Sequence, residues 1–521
     1  MNRRDLLKLA AFSALAQSLP RSAFGLTLPG NAIGNLFSLG VASGSPRHDS
    51  VVIWTRLMAD ETGALGSKPI PVSWEVADDE QFRRIVQKGS THAHAELGHS
   101  VHVEVPELAP DRWYFYRFRS GQYTSRVGRT RTLPAPGAAV TGMRLAYASC
   151  QRWEHGYYAA WRHLQAEAVD AVFFVGDYIY EYSRGKNDIR SHDLPKPTDL
   201  ASYRDRYALY KSDPDLQGAH AACPWLMTWD DHEVINDYAG LSNPVAETDF
   251  AARRAAAYQA FYENQPMRAR TLTRALTGLA DGAEMRIYDR GSFGTLADFH
   301  ILDCRQYRSP QACLDPDKRG AHTIRRDACS ELADPARTFL GMEQERWLAD
   351  GLKAAGTKPR WTLIVQTTRF GQTLYGSTKN PGVSNDTWDG YPATRQRLIN
   401  ALIQNRSPNP VLLGGDVHAN WVGHIKADYN KPDSPSIGVE FTGTSISSNS
   451  NGGDNIPNHI KQNPHFVFGD GFKRGYGVVE LEPDRLTTTL RAVVDPTRAD
   501  SGIETLARFE VEAGKALIHP R

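Results

Sequence analysis

The chain has 521 residues, too long for one hydrophobic core, so two domains or one large domain with an appendage are expected. Its 41% hydrophobic and 23% charged residues are ordinary for a soluble globular protein. A formal net charge of +1 removes the electrostatic basis for nucleic acid as a stable partner.

Residues 1–25 read as a targeting segment rather than as part of the fold. Asn2-Arg3-Arg4-Asp5-Leu6-Leu7-Lys8 precedes a short apolar stretch from Ala10 to Leu19, and Ala23-Phe24-Gly25 offers small residues for cleavage. Paired arginines ahead of such a stretch resemble a twin-arginine export signal, with a general secretory signal as the alternative. The stretch is shorter than the ~20 residues that span a bilayer, and no later one qualifies, so no transmembrane segment is expected. A periplasmic or secreted monomer follows, with the twin-arginine export machinery as a partner. In that oxidising compartment Cys313 and Cys329, which flank a polar loop, are expected to form a disulfide. Cys223 and Cys304 read as buried thiols, and Cys150 is left over.

Residues 30–135 read as a β-sandwich of the fibronectin III or immunoglobulin type. Short strands at 51–55, 72–76, 101–105 and 113–118 mostly alternate apolar and polar residues, with Gly, Pro and Asp between them. His92, His94, His99 and His102 are expected to be solvent-facing strand residues, because no acidic or thiol partner accompanies them. Leu133-Pro134-Ala135-Pro136-Gly137 reads as a linker. From 140 to 515 strands alternate with helical stretches at 158–168, 202–210, 251–263, 342–355 and 394–404, an α/β layer pattern. The polar stretches 183–200, 306–335 and 371–392 read as long loops of the kind that carry function.

Within the α/β region, Val172-Phe173-Phe174-Val175 is a strand buried on both faces, and Gly176-Asp177-Tyr178-Ile179-Tyr180-Glu181 follows it. The same grammar recurs. Residues 143–149 run into Cys150, 224–229 into Asp230-Asp231-His232-Glu233, and 411–415 into Asp416-Val417-His418. Ligands gather at the carboxyl ends of parallel strands, so four such runs point to a metal site assembled from strand ends.

The candidate ligands are Cys150, Asp177, Tyr180, Asp231, Asn236, Asp416 and His418. They are too many for one ion and suit two ions sharing a carboxylate. Thiolate, phenolate and imidazole from Cys150, Tyr180 and His418 favour a Lewis-acidic transition ion. Oxygen donors from Asp231, Asn236 and Asp416 favour a hard cation, with Asp177 between the two. Such a pair suits phosphate-ester hydrolysis by a metal-bound water or hydroxide, with no serine nucleophile. His232 is the candidate to stabilise charge or protonate the leaving group, beside Asp177 in the catalytic set, with Glu233 orienting its ring. Arg184, Lys186 and Arg190 are candidates to steer an anionic ester.

These motifs, with Ser149-Cys150-Gln151 and Trp229-Asp230-Asp231-His232-Glu233, resemble the PhoD-type alkaline phosphatases and phosphodiesterases. That family belongs to the metallophosphatase superfamily and is related to the purple acid phosphatases. Gly40-Val41-Ala42-Ser43-Gly44-Ser45-Pro46 and Trp54-Thr55-Arg56 resemble the start of its N-terminal sandwich, so the likeness covers nearly the whole chain. The resemblance implies Fe3+ held by Cys150, Asp177, Tyr180 and His418. It also implies Ca2+, as one ion or two, near Asp177, Asp231, Asn236 and Asp416, and an αββα catalytic fold. Asp416 stands where the wider superfamily has a metal-binding His, and Gln366-Thr367 where another is often supplied. Both changes move the second site toward oxygen donors. Asp237 is the alternative to Asn236. The expected function is an exported hydrolase of small phosphate esters, monoesters and also diesters. The alternatives are a phosphodiesterase or phospholipase D-like enzyme acting on lipid headgroups and, further off, a calcium-dependent binding protein without activity.

Overall fold

The computed structural model describes residues 35–521 apart from 60–64, 183–187, 244–248, 273–282, 316–319, 354–358, 377–378, 432 and 451–454. The expected signal segment, Arg184 and Lys186 lie outside the described residues. Among the described residues, no helix is long and apolar enough to cross a membrane.

The fold is α/β, with an N-terminal β-sandwich and an αββα catalytic unit in which two sheets face each other between helical layers. At the centre of the first sheet, Met143–Ala148, Ala171–Val175 and Trp225–Thr228 run parallel, with Leu145 opposite Ala171 and Val172 opposite Trp225. The second sheet has Ala297–Ile301, Trp361–Val365, Pro410–Gly414 and Ser436–Thr442 at its centre, also parallel.

The unbroken apolar run 172–175 is explained by this layering. Phe173 and Val175 face the second sheet, where Phe173 meets Phe299 at 5.6 Å between ring centres and joins Val365 and Leu413 in one core. Val172 and Phe174 face the helices, where Phe174 packs 6.1 Å from Trp161 and 5.8 Å from Trp225. A strand covered on both faces has no use for alternating polarity. The second sheet is treated alike. Ile364 and Leu412 point outward to Leu348 of helix Met342–Lys353 and Leu398 of helix Pro392–Gln404.

The sandwich is not a separate bead on a linker. Val41–Gly44, Val51–Arg56 and Ser100–Val105 form one of its sheets and also continue the first catalytic sheet, because Gly44 pairs in parallel with Trp225. The opposing sheet, built on Ile70–Ala77 and Trp113–Ser120, closes a core of Val51, Ile53, Val72, Val76, Tyr116 and Phe118. Leu133 of the expected linker is buried in the core between the catalytic sheets.

His102 corrects the solvent-facing expectation. It stacks on Tyr262 of helix Phe250–Asn264 at 4.4 Å, with Nε2 2.9 Å from the Tyr262 carbonyl and 3.0 Å from that of Gln265. Burial in this seam lowers its pKa to about 4, so the ring is neutral. Strand alternation identifies two faces but not which face meets a second domain.

Two of the long loops join each other. Thr323–Arg325 pairs antiparallel with Gly382–Ser384, and Cys313 is bridged to Cys329 across the first loop. Cys150, Cys223 and Cys304 are buried thiols.

Gly44 marks the seam between the two units. A Cβ there would lie 2.6 Å from the Trp225 carbonyl oxygen and 2.7 Å from that of Pro266, both backbone atoms. Gly44→Ala is therefore expected to lower the unfolding free energy by about 1–3 kcal/mol, the usual range for overpacking. Urea denaturation reads this directly, and an unchanged midpoint would mean that the seam yields.

Candidate metal centre

The donors at three of the four strand ends sit on a backbone bent sharply away from the strand, and Asp231 at the fourth does not. Cys150, Asp177, Asp416 and His418 have φ of 59°, 59°, 66° and 51°, the left-handed region that side chains rarely adopt. Such residues persist only where surrounding structure over-determines them, and they cluster at functional sites. Gly176, at φ 106°, makes the turn before Asp177 possible, since a Cβ there would lie 2.6 Å from the Asp230 Cβ. The bends aim side chains from both sheets into one space beyond the strand ends.

Four donors converge in that space. The Cys150 Sγ–H donates to Asp177 Oδ2 at 3.4 Å, and the Tyr180 hydroxyl donates to the same oxygen at 3.0 Å. Tyr180 Oη also lies 3.0 Å from His418 Nε2 and accepts from Ser448 Oγ at 2.9 Å. Ligand atoms of Cys150, Asp177 and His418 all fall within 4.8 Å of one another. His418 Nδ1 faces the Asn449 carbonyl at 2.7 Å, so Nδ1 carries the proton and Nε2 turns a lone pair toward the cluster.

Carboxylates form the other side. Asp177, Asp231 and His232 make one compact group, and Asp231, Asp237 and Asp386 another. Asp386 is already compensated by Arg305 and Arg308, which leaves Asp231 and Asp237 as the freer members. Arg305 also pairs with Asp230 at 2.6 Å and reaches Asp231 at 3.3 Å. Against burial, Arg305 and then His232 hold Asp231 at about 2. The Thr368 hydroxyl donates to Asp416 at 2.6 Å. Asn236 and Asp237 both line the cavity, and the Asn236 amide donates to Asp237 Oδ2 at 2.6 Å.

The donor set fits cations. Burial first, and then the neighbouring Asp177, pushes both the Cys150 thiol and the Tyr180 phenol well up. Burial also lifts Asp177, with Asp231 adding to it against His232, and lifts Asp416 to about 7 with help from Asp230. Burial takes His418 down to about 3, the neutral form that ligates. Acidic groups that resist ionising for want of positive charge, beside a neutral imidazole, are the arrangement a bound cation would reverse.

The structure corrects two expectations and adds residues. The carboxylate on the His232 ring is Glu181, with Oε2 2.7 Å from Nδ1, rather than Glu233. Glu233 points back under the turn and accepts the backbone N–H groups of Asp177, Tyr178 and Asp230 at 2.6–3.2 Å. Burial opposes a charge on His232, yet Glu181, Asp177 and Asp231 raise its pKa well above the usual value. Arg190 is not at the site: it pairs with Asp213 at 2.6 Å and lies over the Trp153 ring at 3.7 Å. Arg305, Thr368, Ser448 and Asn449 were missed because no local pattern marks them. Glu181 closes the quoted motif, and its spacing from Asp177 was the available signal.

A cavity of about 330 Å³ opens over this cluster, lined by Asp177, Asp231, His232, Asp416 and His418, with Arg369 and Tyr375 farther along. A larger one, about 450 Å³, lies by the sandwich seam among Arg47, Arg268, Arg270 and Arg286, and holds none of the candidate ligands. Chemistry rather than size places the site.

Fold and donor set together place the chain among the metallophosphatases, enzymes that hydrolyse phosphoric esters. It belongs to the PhoD-like phosphatase family, whose model matches residues 145–490, while the model of that family's N-terminal domain matches residues 28–134. The chain is 42% identical over 520 residues to alkaline phosphatase D of Bacillus subtilis (strain 168), covering 96% of this chain and 85% of that relative. A solved structure of PhoD is 41% identical with a TM-score of 0.86, covering 96% of this chain and 93% of the other.

The raised acids make stability depend on pH when metal is removed. Burial and then Asp230 hold Asp416 at about 7, and burial, with Asp230, holds Glu233 at about 8, against ordinary values of 3.8 and 4.5. Between those limits the folded state keeps protons that the unfolded chain has released, so stability falls as pH rises. Chelator-stripped protein is expected to melt at lower temperature at pH 8.5 than at pH 5. The metal-loaded protein should lack that decline. Scanning calorimetry of both forms checks it, and parallel profiles would remove the cluster as the cause.

Proposed function

We propose that the protein is an exported alkaline phosphatase that hydrolyses phosphoric monoesters, and diesters as well, at a centre of iron and calcium. The observation that carries this reading is the division of the Asp177 carboxylate. Its Oδ2 faces the thiol and the phenol, while its Oδ1 accepts from the His232 backbone N–H at 3.4 Å on the carboxylate side. A carboxylate with its two oxygens turned to unlike donor sets suits a bridge.

Cys150, Asp177, Tyr180 and His418 would hold Fe3+, since thiolate, phenolate and imidazole suit an oxidised transition ion. Asp177, Asp231, Asp416 and Asn236, or Asp237 in its place, would hold Ca2+ as one ion or two. When bound, the cations would supply an acidified water and neutralise phosphoryl oxygens. His232 lines the cavity, Glu181 at Nδ1 holds it in the imidazolium form, and its role is to give the Nε2 proton to the leaving oxygen. Arg305 keeps the loop bearing Asp230 and Asp231 in register by ion pairs with both. Export rests on the paired arginines at Arg3 and Arg4, and the protein is proposed to work as a periplasmic or secreted monomer.

Metal analysis beside activity and colour tests the assignment. Active protein is expected to contain iron and calcium and to absorb visible light through charge transfer from Tyr180 and Cys150. Tyr180→Phe should shift or bleach that band, and Asp177→Asn should lower both metal contents and abolish turnover. Removing calcium should inactivate reversibly with iron retained. A colourless, fully active preparation with zinc and no iron would overturn the metal assignment.

Glu181→Gln tests the proton donor. Without the carboxylate, His232 loses its proton at lower pH, so the alkaline limb of the pH–rate profile is expected to move toward neutrality. A limb that does not move would take His232 out of the acid role.

A further inference from the structure

Among the described residues that line the site cavity, Arg369 is the one Lys or Arg side chain. It is 3% exposed, and its contacts are unusual for a buried guanidinium. Nη2 donates to the Tyr375 hydroxyl at 2.5 Å, Cζ lies 4.8 Å from the centre of the Trp421 ring, and Nε has no acceptor. No ion pair is formed by Arg369 among the described residues, and Asp389 and Glu440 act on it only from beyond ion-pair distance. Arg305, Arg308 and Arg395, buried nearby, are matched with Asp230, Asp386 and Asp389, and Arg474 donates to the His418 and Gly471 carbonyls and to the Thr444 and Ser445 hydroxyls. A buried charge is tolerated when paired, and leaving one unpaired is costly. Phenol and indole contacts stabilise a guanidinium but do not neutralise it.

The position of Arg369 says what its counter-ion is. The preceding residue, Thr368, holds Asp416, so the guanidinium stands one residue from the carboxylate cluster and faces the same cavity. Tyr375 and His459 continue the wall beyond it, their rings 5.0 Å apart. An ester whose phosphorus sits over the cluster would present its remaining oxygens toward this wall. A monoester has three unesterified oxygens and a second negative charge, while a diester has two and a single charge. Two oxygens turned to the cluster leave one for Arg369 in a monoester. In a diester that place belongs to an esterified oxygen, and the guanidinium stays unmatched.

We propose that Arg369 is a substrate-binding residue that takes an unesterified oxygen of a phosphoric monoester dianion and so biases the site toward monoesters over diesters. This rests on the reading of the Asp177 cluster as a phosphoester hydrolase centre. Specificity here comes as much from the penalty on the wrong ester as from the contact with the right one. Lysine would keep the charge and lose the planar fork.

The test uses full-length, metal-loaded protein with Arg369→Gln and Arg369→Lys, p-nitrophenyl phosphate as monoester and bis(p-nitrophenyl) phosphate as diester. Inorganic phosphate serves as inhibitor. Arg369→Gln is expected to raise KM for the monoester and Ki for phosphate by about ten- to a hundredfold, with the diester KM moving less than about threefold. Arg369→Lys should fall between wild type and Arg369→Gln, and metal contents should stay at wild-type values. Equal losses on both esters, or wild-type KM and Ki in Arg369→Gln, would overturn the proposal. Calorimetric titration with phosphate reads the contact without turnover. If wild type hydrolyses neither ester, the hydrolase reading falls, while unchanged phosphate affinity in Arg369→Gln sinks Arg369 separately. Should Arg369→Gln not fold, Arg369→Lys and Tyr375→Phe decide, and unaltered KM in both counts against the role.

Discussion

The constraint on which this structure depends is the concentration of buried carboxylates at the meeting of two sheets. Asp177, Asp230 and Asp231 lie beyond strand ends with almost no access to water, and Asp416 lies half-buried beside them. Like charges packed in low dielectric raise one another's pKa; donated hydrogen bonds relieve them in part, and so does positive charge. The protein supplies part of it through Arg305, which spans Asp230, Asp231 and Asp386. The remainder falls to His232 and, on the proposed reading, to bound cations.

Arg305 divides the acids into two kinds. Asp230 and Asp386 are matched by guanidinium and serve to hold the loops, whereas Asp177 and Asp416 lie beyond its hydrogen bonds and stay available. Buried ion pairs of this sort add little net stability, because desolvation offsets the attraction. Their value here is positional: without Arg305 the Asp230–Asp231 turn would carry uncompensated charge and swing toward solvent. Glu233 does comparable work through backbone N–H groups and holds the Asp177 turn to the Asp230 turn.

The left-handed φ values at Cys150, Asp177, Asp416 and His418 link fold to chemistry. A strand running straight on would alternate its side chains between the helix layer and the second sheet, and no two donors would share a space. Left-handed residues after three of the four strands turn donors out of the layers and beyond the sheet edge. The packed core underneath, with Phe173 against Phe299, makes the ends rigid enough to hold that strain.

Much of this was legible from the chain alone, and the reason is local. Buried strands announce themselves as apolar runs such as 172–175, and a donor that follows directly is placed by the strand it ends. That is why Cys150, Asp177, Asp231, Asp416 and His418 could be read as one cluster, and why the α/β class followed from the order of elements. What the tertiary structure decided are pairings between distant segments. Glu181 rather than Glu233 meets His232 because the turn after Asp177 folds across the turn after Trp229. Arg190 goes to Asp213 and Trp153, although its position in a polar loop suggested a ligand. The sandwich joins the catalytic sheet at Gly44 and Trp225, residues separated by most of two domains. Strand propensity, donor type and turn residues are written within a few positions of each other. The partner a side chain finds across a hundred residues depends on how the layers stack, and no local pattern encodes it.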